Sequence, residues 1–267
     1  MTKSKPIRDL ISLDGKTSII TGGAGHLGMA ITETLGEIGS NLIIIGQRES
    51  EGTKFAKRLA KEYKIKAKFE KVDLNSQNSI DNFFKNYDGD VDVLINNGFT
   101  WPKTVQFEKT SWGEFQDTLT SGVTSPFYFT KLAIKKMKKS DCGSIINIGS
   151  MYGMVSPNFK IYHNKPNMGN AVAYNASKAA MIQMTKYFAV SCSKWNIRVN
   201  CISPGPFPRP GAFVGKKWFE KELKSMTPLN RTGQPWELKG GILLLATQLG
   251  SYITGQNIVI DGGWTIW

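Results

Sequence analysis

The chain has 267 residues, of which 40% are hydrophobic and 11% aromatic, so it can bury a core and is not a disordered polyelectrolyte. Its length also excludes a small module that depends on disulfides or a metal for stability. The net charge of +13 comes from lysines scattered along the chain, which we interpret as a solvated surface, with an anionic ligand or partner as the alternative. No motif indicates a nucleic-acid partner.

Cysteine and histidine usage bounds the chemistry further. The three cysteines are not closely spaced and the two histidines are too few for most transition-metal sites, so we predict no metal. The polar N-terminal stretch lacks the apolar region of a signal peptide, and no window approaches 18 uninterrupted apolar residues. We therefore expect a soluble, cytoplasmic protein with reduced cysteines and no membrane partner.

Short β-rich runs alternate with segments whose apolar residues recur every three to four positions. The runs are Thr17–Ile20, Leu42–Ile45, Ala67–Val72, Val91–Ile95, Ser144–Ile148, Ile197–Ile202 and Asn257–Ile260. Helical spacing occurs at Ala30–Ile38, Phe55–Tyr63 and Ala179–Val190. Continuous Ile and Val runs alternating with helices are typical of strands buried on both faces and of right-handed βαβ units. The pattern predicts a single α/β domain over residues 1–267, with a Rossmann-type, doubly wound, mostly parallel seven-stranded sheet flanked by helices.

The first predicted strand is followed by a glycine-rich turn and a helix. Gly23, Gly25 and Gly28 satisfy the G-x-G-x-x-G pattern in this strand–turn–helix context. Glycine permits the tight turn and lets backbone N–H groups approach a pyrophosphate at the helix N-terminus. The turn is therefore predicted to bind a dinucleotide, and the candidate contacts are Gly22, Gly25, His26, Leu27 and Gly28.

The second predicted strand ends at Ile45 and is followed by Gly46-Gln47-Arg48. Folds that prefer NAD usually place Asp or Glu at this tip, where it accepts a bond from the ribose 2′-OH. A basic residue instead holds a 2′-phosphate by charge-assisted bonds. Arg48 therefore favours NADP(H) over NAD(H), the alternative being that Arg48 is solvated beside Glu49 and Glu51.

The third and fourth predicted strands also end in polar residues. Asp73 is either a contact of an adenine amino group or the cap of a helix over Asn75–Phe84. The run Asn96-Asn97-Gly98 is either a structural turn or a group that bonds both the backbone and a ribose. The candidate cofactor contacts from these two strand ends are Asp73, Leu74, Asn96 and Gly98.

The strongest chemical signal combines a strand that ends in Ser150 with Tyr174 and Lys178, which share one helical face because they are four positions apart. A free tyrosine has a pKa of about 10, too high for efficient proton transfer near neutrality. A neighbouring ammonium favours the phenolate and lowers that pKa, and a serine hydroxyl can hydrogen-bond the reacting oxygen. We predict Ser150, Tyr174 and Lys178 as the catalytic residues.

From about Asp14 to its C-terminus the chain resembles the short-chain dehydrogenase/reductase superfamily. The matching motifs are Thr21–Gly28, Asn96-Asn97, Ser150, Tyr174 with Lys178, Ser203-Pro204-Gly205, Thr254-Gly255-Gln256 and Asp261-Gly262-Gly263. The resemblance implies hydride transfer at nicotinamide C4, with Tyr174 as general acid/base, Lys178 lowering its pKa and binding the nicotinamide ribose, and Ser150 orienting the substrate. It adds Pro204 and Gly205 to the cofactor contacts and implies a homodimer or homotetramer with the Tyr174 helix in an interface.

Four positions depart from the family pattern. His26 replaces a glycine of the first motif, and Gly98-Phe99 replaces Ala-Gly after the paired asparagines. Gly122 stands where the family has an asparagine that holds a proton-relay water. The threonine that often touches the carboxamide is missing after Pro204-Gly205, where Pro206-Phe207-Pro208 follows. The change at Gly122 implies another relay route or slow turnover.

The segment between Ser150 and Tyr174 is longer than usual in relatives, with an addition at about 157–170. Because its two ends are catalytic, we predict that it forms a wall of the substrate pocket. Its polar residues suit hydroxyl-rich or anionic substrates better than an acyl chain; they are Lys160, Tyr162, His163, Asn164, Lys165 and Asn167. His163 is either an exposed loop residue or a substrate contact. A second pocket segment is predicted over 206–224, including a mobile lid at Pro206–Lys217 that excludes water.

The closing Asp261–Trp267 resembles a branch whose members act on sugars, sugar acids or activated amino sugars, some of them in surface-glycan or flagellin modification. Its two tryptophans are alternatively anchors of a subunit interface. The leading interpretation is an NADP(H)-dependent oxidoreductase that interconverts an alcohol and a ketone or aldehyde on such a small-molecule substrate. Two alternatives stay open: a 3-oxoacyl thioester reductase, and a dinucleotide-binding protein with degenerate catalysis, which Gly122 supports.

Overall fold

A computed structural model describes residues 4–163, 165 and 168–267, so Asn164 and Asn167 of the predicted pocket wall lie outside the described residues. Seven strands form one parallel sheet in the order β3-β2-β1-β4-β5-β6-β7. They are β1 (Thr17–Thr21), β2 (Asn41–Gly46), β3 (Ala67–Lys71), β4 (Val93–Asn96), β5 (Gly143–Ile148), β6 (Ile197–Pro204) and β7 (Asn257–Ile260). This sheet, flanked by helices, confirms the predicted Rossmann-type α/β fold.

Helices connect the strands and cover the two faces of the sheet. In the described part of the chain the α-helices are α1 (Ile7–Ile11), α2 (His26–Glu37), α3 (Glu49–Tyr63), α4 (Gln77–Asn86), α5 (Trp112–Leu119), α6 (Ser125–Ser140), α7 (Val172–Cys192), α8 (Lys217–Ser225) and α9 (Lys239–Ala246). A π-helical turn, Thr120–Thr124, joins α5 to α6. No helix of these ranges combines the length and the apolar character that a membrane crossing requires.

Successive side chains of a strand point to opposite faces of the sheet, and both faces are apolar here. Ile20 of β1 belongs to a buried cluster with Ile31 of α2, whereas the neighbouring Ile19 belongs to a second cluster with Phe83 of α4 and Phe129 of α6. The two edge strands depart from the expectation of burial on both faces. Strands β3 and β7 are mostly half-buried because each pairs with a strand on one side alone.

The strand order reverses at β1, which pairs with β2 on one side and with β4 on the other. In sheets of this kind a crevice opens at the carboxyl ends of the strands, at the point where the order reverses. The polar residues predicted for the site follow these carboxyl ends.

A third buried cluster lies beyond the sheet. It joins the added segment at about 157–170, called the insertion below, to the C-terminal part of the chain. Ile161 and Tyr162 of the insertion are buried in it together with Leu223 of α8 and Trp264. Trp264 is only 5% exposed, so its side chain serves this internal cluster and is not available as an interface anchor. Trp267, by contrast, is exposed.

Candidate active site

The glycine turn after β1 fits closely against the loop after β4. Gly22 has a φ of +63°, and a Cβ atom there would lie 2.7 Å from the Cα of Gly98, so a side chain is excluded. The amide of Asn97 donates to the carbonyl oxygens of Thr21, at 3.1 Å, and Gly22, at 3.0 Å. Asn97 therefore braces the turn, as the structural interpretation of the paired asparagines requires.

A cleft of about 410 Å³ opens between these loops. Its lining residues in the described part of the chain are Gly22, Gly25, His26, Leu27, Gly28, Arg48, Asn97, Gly98, Phe99, Trp101, Ile148, Gly149, Tyr174, Lys178, Pro204, Gly205, Phe207 and Arg209. None of these residues is acidic, whereas Arg48, Lys178 and Arg209 are basic. A glycine-rich turn at a helix N-terminus, with basic residues around it, fits the phosphates of a nicotinamide dinucleotide.

The cleft brings together most of the predicted cofactor contacts. Four predicted site residues are not in its lining: Asp73, Leu74, Asn96 and Ser150. Sequence reasoning missed Phe99 and Trp101 as residues of the site, and it placed Arg209 in the predicted lid but not among the cofactor contacts. The available signal was their position shortly after the ends of β4 and β6, at the edge of the sheet where the site lies.

Asp73 is held by its neighbours and does not begin a helix. Its Oδ1 accepts from the backbone N–H of Asn75 at 2.9 Å and from the side-chain amide of Gln47 at 3.1 Å. The cap of α4 is Ser76, whose hydroxyl accepts from the backbone N–H of Ser79 at 3.2 Å. The interpretation of Asp73 as a helix cap was therefore wrong. Leu74 lies behind Gly98 and contributes packing to the loop.

The structure also corrects the role predicted for Asn96. This residue is buried, and its side-chain amide donates to Asn147 Oδ1 at 2.8 Å and to Thr130 Oγ1 at 3.0 Å. Asn147 in turn donates to Thr185 Oγ1 at 2.9 Å. The side chain of Asn96 thus joins β4 to β5 and to the helices beneath the sheet, and it does not face the cleft.

Ser150, Tyr174 and Lys178 come together at one side of the cleft. Ser150 follows β5, and the other two occupy the first turns of α7. The Ser150 hydroxyl accepts from the backbone N–H of Tyr152 at 3.1 Å, and it lies near enough to Tyr174 to affect the pKa of that phenol. The Lys178 Nζ lies 5.7 Å from the centroid of the Tyr174 ring and donates to the carbonyl oxygen of Ile148 at 2.8 Å.

Burial dominates the protonation of this group. It raises the pKa of Tyr174, an effect that the nearby Ser150 hydroxyl partly opposes. It lowers the pKa of Lys178 to about 8, because the ammonium has lost its water and the polar contact of its Nζ is the carbonyl of Ile148. We predicted that the Lys178 ammonium lowers the pKa of Tyr174 below its usual value. In this structure the pKa of Tyr174 is raised instead, because desolvation by burial is the larger effect.

Two aromatic residues cover Tyr174. The Trp101 ring stacks on the Tyr174 ring at 4.8 Å between centroids and 21° between planes. Phe99 meets the same ring edge-on at 5.3 Å, and the Lys178 Nζ lies 5.0 Å from the Phe99 centroid. Phe99 thus provides an aromatic face to a buried ammonium, a favourable cation–π arrangement.

Gly122 occupies the π-helical turn between α5 and α6 and is buried. A Cβ atom at this position would lie 2.7 Å from the Cβ of Ser177, which follows Tyr174 on α7. The turn and α7 are therefore in close backbone contact at the point where the family has an asparagine side chain.

Described residues of the insertion contact α8. The His163 ring lies 4.8 Å from the Trp218 ring, and its Nε2 is 3.1 Å from Glu222 Oε1. Tyr162 is buried in the same cluster as Tyr152, and its ring lies 5.6 Å from the Phe219 ring of α8. His163 is thus an exposed residue outside the helices and strands, as the first interpretation predicted, and it does not line the cleft.

The insertion also borders a second cavity, of about 860 Å³, between itself, the loop around Phe107 and the outer side of α7. The residues that line this cavity do not line the cleft that holds Tyr174 and Lys178. Among the described residues, no group of three or more His, Cys, Asp or Glu side chains is placed to hold a metal ion.

Comparisons with known proteins agree with this geometry. A family model described as Enoyl-(Acyl carrier protein) reductase matches residues 22–265. A 3-oxoacyl-[acyl-carrier-protein] reductase of Aquifex aeolicus is 33% identical over 257 residues, covering 95% of this chain and 98% of the relative. An NADP-dependent mannitol dehydrogenase of Hypocrea jecorina is 34% identical, with 96% of this chain and 95% of the relative covered.

A solved structure with the same fold is the NADPH-dependent 3-quinuclidinone reductase from Rhodotorula rubra. It matches with a TM-score of 0.85 and 26% identity, and the match covers 100% of this chain and 98% of that one.

Proposed function

Because the chain belongs to the short-chain dehydrogenase/reductase superfamily, oxidoreductases that act on CH–OH or carbonyl groups, we propose that it is an NADP(H)-dependent enzyme for a sugar, sugar acid or activated amino sugar. The observation that carries this proposal is the cleft itself. It places the side chains of Tyr174 and Lys178 beside a glycine turn at a helix N-terminus, with basic and no acidic residues among those that line it.

The preference for NADP(H) is supported by the end of β2. Arg48 borders the cleft, and its Nη1 contacts Glu51 Oε2 at 2.8 Å. Both side chains of this pair are more than half exposed, so the pair is weak and a phosphate can replace the carboxylate. Gln47, which occupies the tip where NAD-preferring folds carry an acid, is bonded to Asp73.

The reaction follows from the positions of three side chains. A bound nicotinamide dinucleotide supplies or accepts the hydride. Tyr174 exchanges a proton with the substrate oxygen, and the hydroxyl of Ser150, which lies near the phenol, holds that oxygen in place. Lys178, fixed by the carbonyl of Ile148 with its Nζ 5.7 Å from the centroid of the Tyr174 ring, would hold the nicotinamide ribose beside the phenol.

A polar substrate is supported by the phenols behind Tyr174. Tyr152 and Tyr162 are buried together in the cluster against which Tyr174 packs, and the second comes from the predicted pocket wall over 157–170. The mannitol dehydrogenase among the relatives acts on a polyol by its name. A 3-oxoacyl thioester is the second candidate, favoured by the family description and by the relative from Aquifex aeolicus.

A cofactor titration followed by an activity screen tests the proposal. We expect wild-type protein to bind NADPH at least tenfold more tightly than NADH, and Arg48→Ala to remove most of that difference while NADH binding stays unchanged. With the preferred cofactor, polyols and sugars should be oxidised, or their carbonyl forms reduced, faster than a 3-oxoacyl thioester. Tyr174→Phe should keep the cofactor affinity and lose turnover by about a hundredfold or more.

Three results would contradict parts of this proposal. Tighter binding of NADH would reject the NADP(H) preference, and faster reduction of the thioester would favour the second candidate. Cofactor binding without turnover on any substrate would favour a degenerate dinucleotide-binding protein, the interpretation that Gly122 supports.

We also propose a homodimer or homotetramer. Helices α6 and α7 expose large apolar side chains, among them Phe127, Val172, Tyr187 and Val190. Light scattering after size-exclusion chromatography measures the mass directly, and a monomer at micromolar concentration would reject the oligomer. The cytoplasmic location stays a prediction.

A further inference from the structure

The segment Pro206-Phe207-Pro208 follows β6 and begins the predicted lid over Pro206–Lys217. Each proline fixes its own φ, and the Phe207 ring between them packs against the principal core cluster. The ring lies so close to Gly233 that a Cβ atom there would be 2.5 Å from it, and the Gly233 N–H donates to the carbonyl of Pro206 at 3.0 Å. The backbone of the segment is therefore held in one position.

His26 ties this segment to the glycine turn. Its Nε2 lies 3.2 Å from the carbonyl oxygen of Phe207. A carbonyl oxygen only accepts, so Nε2 carries the hydrogen. His26 is also the first residue of α2, the helix whose N-terminus faces the cleft. The bond thus connects the helix N-terminus to the segment after β6 across the mouth of the cleft.

Arg209 is the residue that the segment presents. It is exposed, follows Pro208 directly and borders the cleft together with His26 and Gly25. Arg48, the other arginine of the lining, follows β2 and lies beyond the glycine turn along the sheet. One arginine is therefore placed at the helix N-terminus and the other at the strand end where a 2′-phosphate is discriminated.

We propose that Arg209 binds the diphosphate of the dinucleotide, and that His26 acts as a positioning residue by holding the carbonyl of Phe207. This inference depends on the dinucleotide binding of the proposed function but not on its NADP(H) preference or its substrate. The diphosphate is common to NADPH and NADH, so Arg209 contributes equally to the affinity for both, whereas Arg48 separates them.

Equilibrium binding of NADPH and NADH, followed by calorimetry or by quenching of protein fluorescence, tests this assignment without turnover. Arg209→Gln should raise both dissociation constants by about tenfold, and Arg209→Lys should restore part of the loss. Lys216→Gln is the matched control, because it removes the same charge from the same loop at a residue that does not line the cleft, and it should leave both constants within twofold.

A double-mutant cycle tests the role of His26. His26→Ala should weaken both cofactors severalfold, but in the Arg209→Gln background it should add little, because its effect passes through Arg209. A merely structural role would give additive losses. The affinity of Arg209→Gln should also depend less on salt concentration than that of wild type, since one phosphate contact is gone.

Several outcomes would overturn the assignment. Unchanged binding of both cofactors by Arg209→Gln would reject it, and a loss confined to NADPH would move Arg209 to the 2′-phosphate. Full additivity of the two variants would reject the positioning role of His26. A wild-type chain that binds neither dinucleotide would instead reject the proposed function, and this inference with it.

Discussion

Phe99 fills the space that a side chain at position 122 would need: a Cβ atom on Gly122 would lie 2.8 Å from Phe99 Cε2. Positions 99 and 122 both depart from the family pattern. In the structure the Phe99 ring occupies space that only a glycine at position 122 leaves open. The ring at 99 lies against Lys178 and Tyr174, so the ammonium and the phenol have an aromatic neighbour on the side where the pattern places an amide.

We predict that Gly122→Asn destabilises the protein by roughly 2 kcal/mol, because it overpacks a buried contact with Phe99 and Ser177. In a Phe99→Ala background the same change should cost at least about 1 kcal/mol less, since the ring no longer competes for the space. Urea unfolding measures both. Gly113→Asn on α5, where a Cβ would meet nothing within 4 Å, is the control and should cost less than about 0.5 kcal/mol. Equal costs in the two backgrounds would show that the two residues are independent.

Trp101→Ala should lower the pKa of Tyr174, because the indole is part of the cover whose desolvation raises it. The alkaline limb of the pH–rate profile for kcat/KM should therefore move to lower pH, by roughly half a unit or more. Trp112→Ala, which removes an indole that is 80% exposed on α5, is the control. An unshifted limb in Trp101→Ala would mean that the stacked ring does not determine the protonation of the phenol.

Lys178 should make the stability depend on pH with a definite sign. Its pKa is lowered by burial from 10.5 to about 8, so between these values the unfolded chain binds more protons than the folded one. The free energy of unfolding due to this group therefore rises with pH through that window, by on the order of 1 kcal/mol per pH unit. Below about pH 8 the full cost of burying the ammonium is present.

The measurement is the difference in unfolding free energy between wild type and Lys178→Met at pH 7 and pH 9.5. Other groups titrate alike in both proteins, so the difference isolates the ammonium. Relative to wild type, the unfolding free energy of Lys178→Met should be higher at pH 7 than at pH 9.5, because wild type no longer buries a full charge at the higher pH. A difference that stays constant across the window would contradict a lowered pKa.

His163→Ala should loosen α8. The ring contacts Trp218 and pairs with Glu222, and both partners are on that helix. Because the pair is partly exposed, its loss should raise amide hydrogen exchange in α8 only about threefold. Glu220→Gln, which breaks the Glu220–Lys224 pair within α8, is the control. Exchange that rises equally in both variants would show that the insertion does not restrain the helix.

Much of the fold could be read from periodicity, because strands buried inside a parallel sheet carry continuous Ile and Val runs. The edge strand β3 is the exception: its residues 67–71, Ala-Lys-Phe-Glu-Lys, alternate between apolar and charged, as a half-buried strand at the edge of the sheet does. Tyr174 and Lys178 were predictable since one helical turn separates them.

Asn96 was not predictable in the same way. A strand-terminal amide serves a ligand or a buried neighbour equally well, and the neighbour here, Asn147, is 51 positions away in the chain. Arg209 was placed in the predicted lid but not at the cofactor, because its position there depends on the bond between His26 and Phe207, two residues 181 positions apart. Contacts of this range come from the assembled sheet.

The contacts of the insertion separate the part of the chain beside the predicted substrate pocket from the part that lines the cofactor cleft. Its two ends adjoin Ser150 and Tyr174, yet its buried residues Ile161 and Tyr162 pack on α8 and Trp264 and leave the glycine turn untouched. Replacing the segment between residues 157 and 170, together with a matching α8, is therefore a rational way to redirect an enzyme of this architecture toward other compounds. The glycine turn and the cleft beside it would stay unchanged.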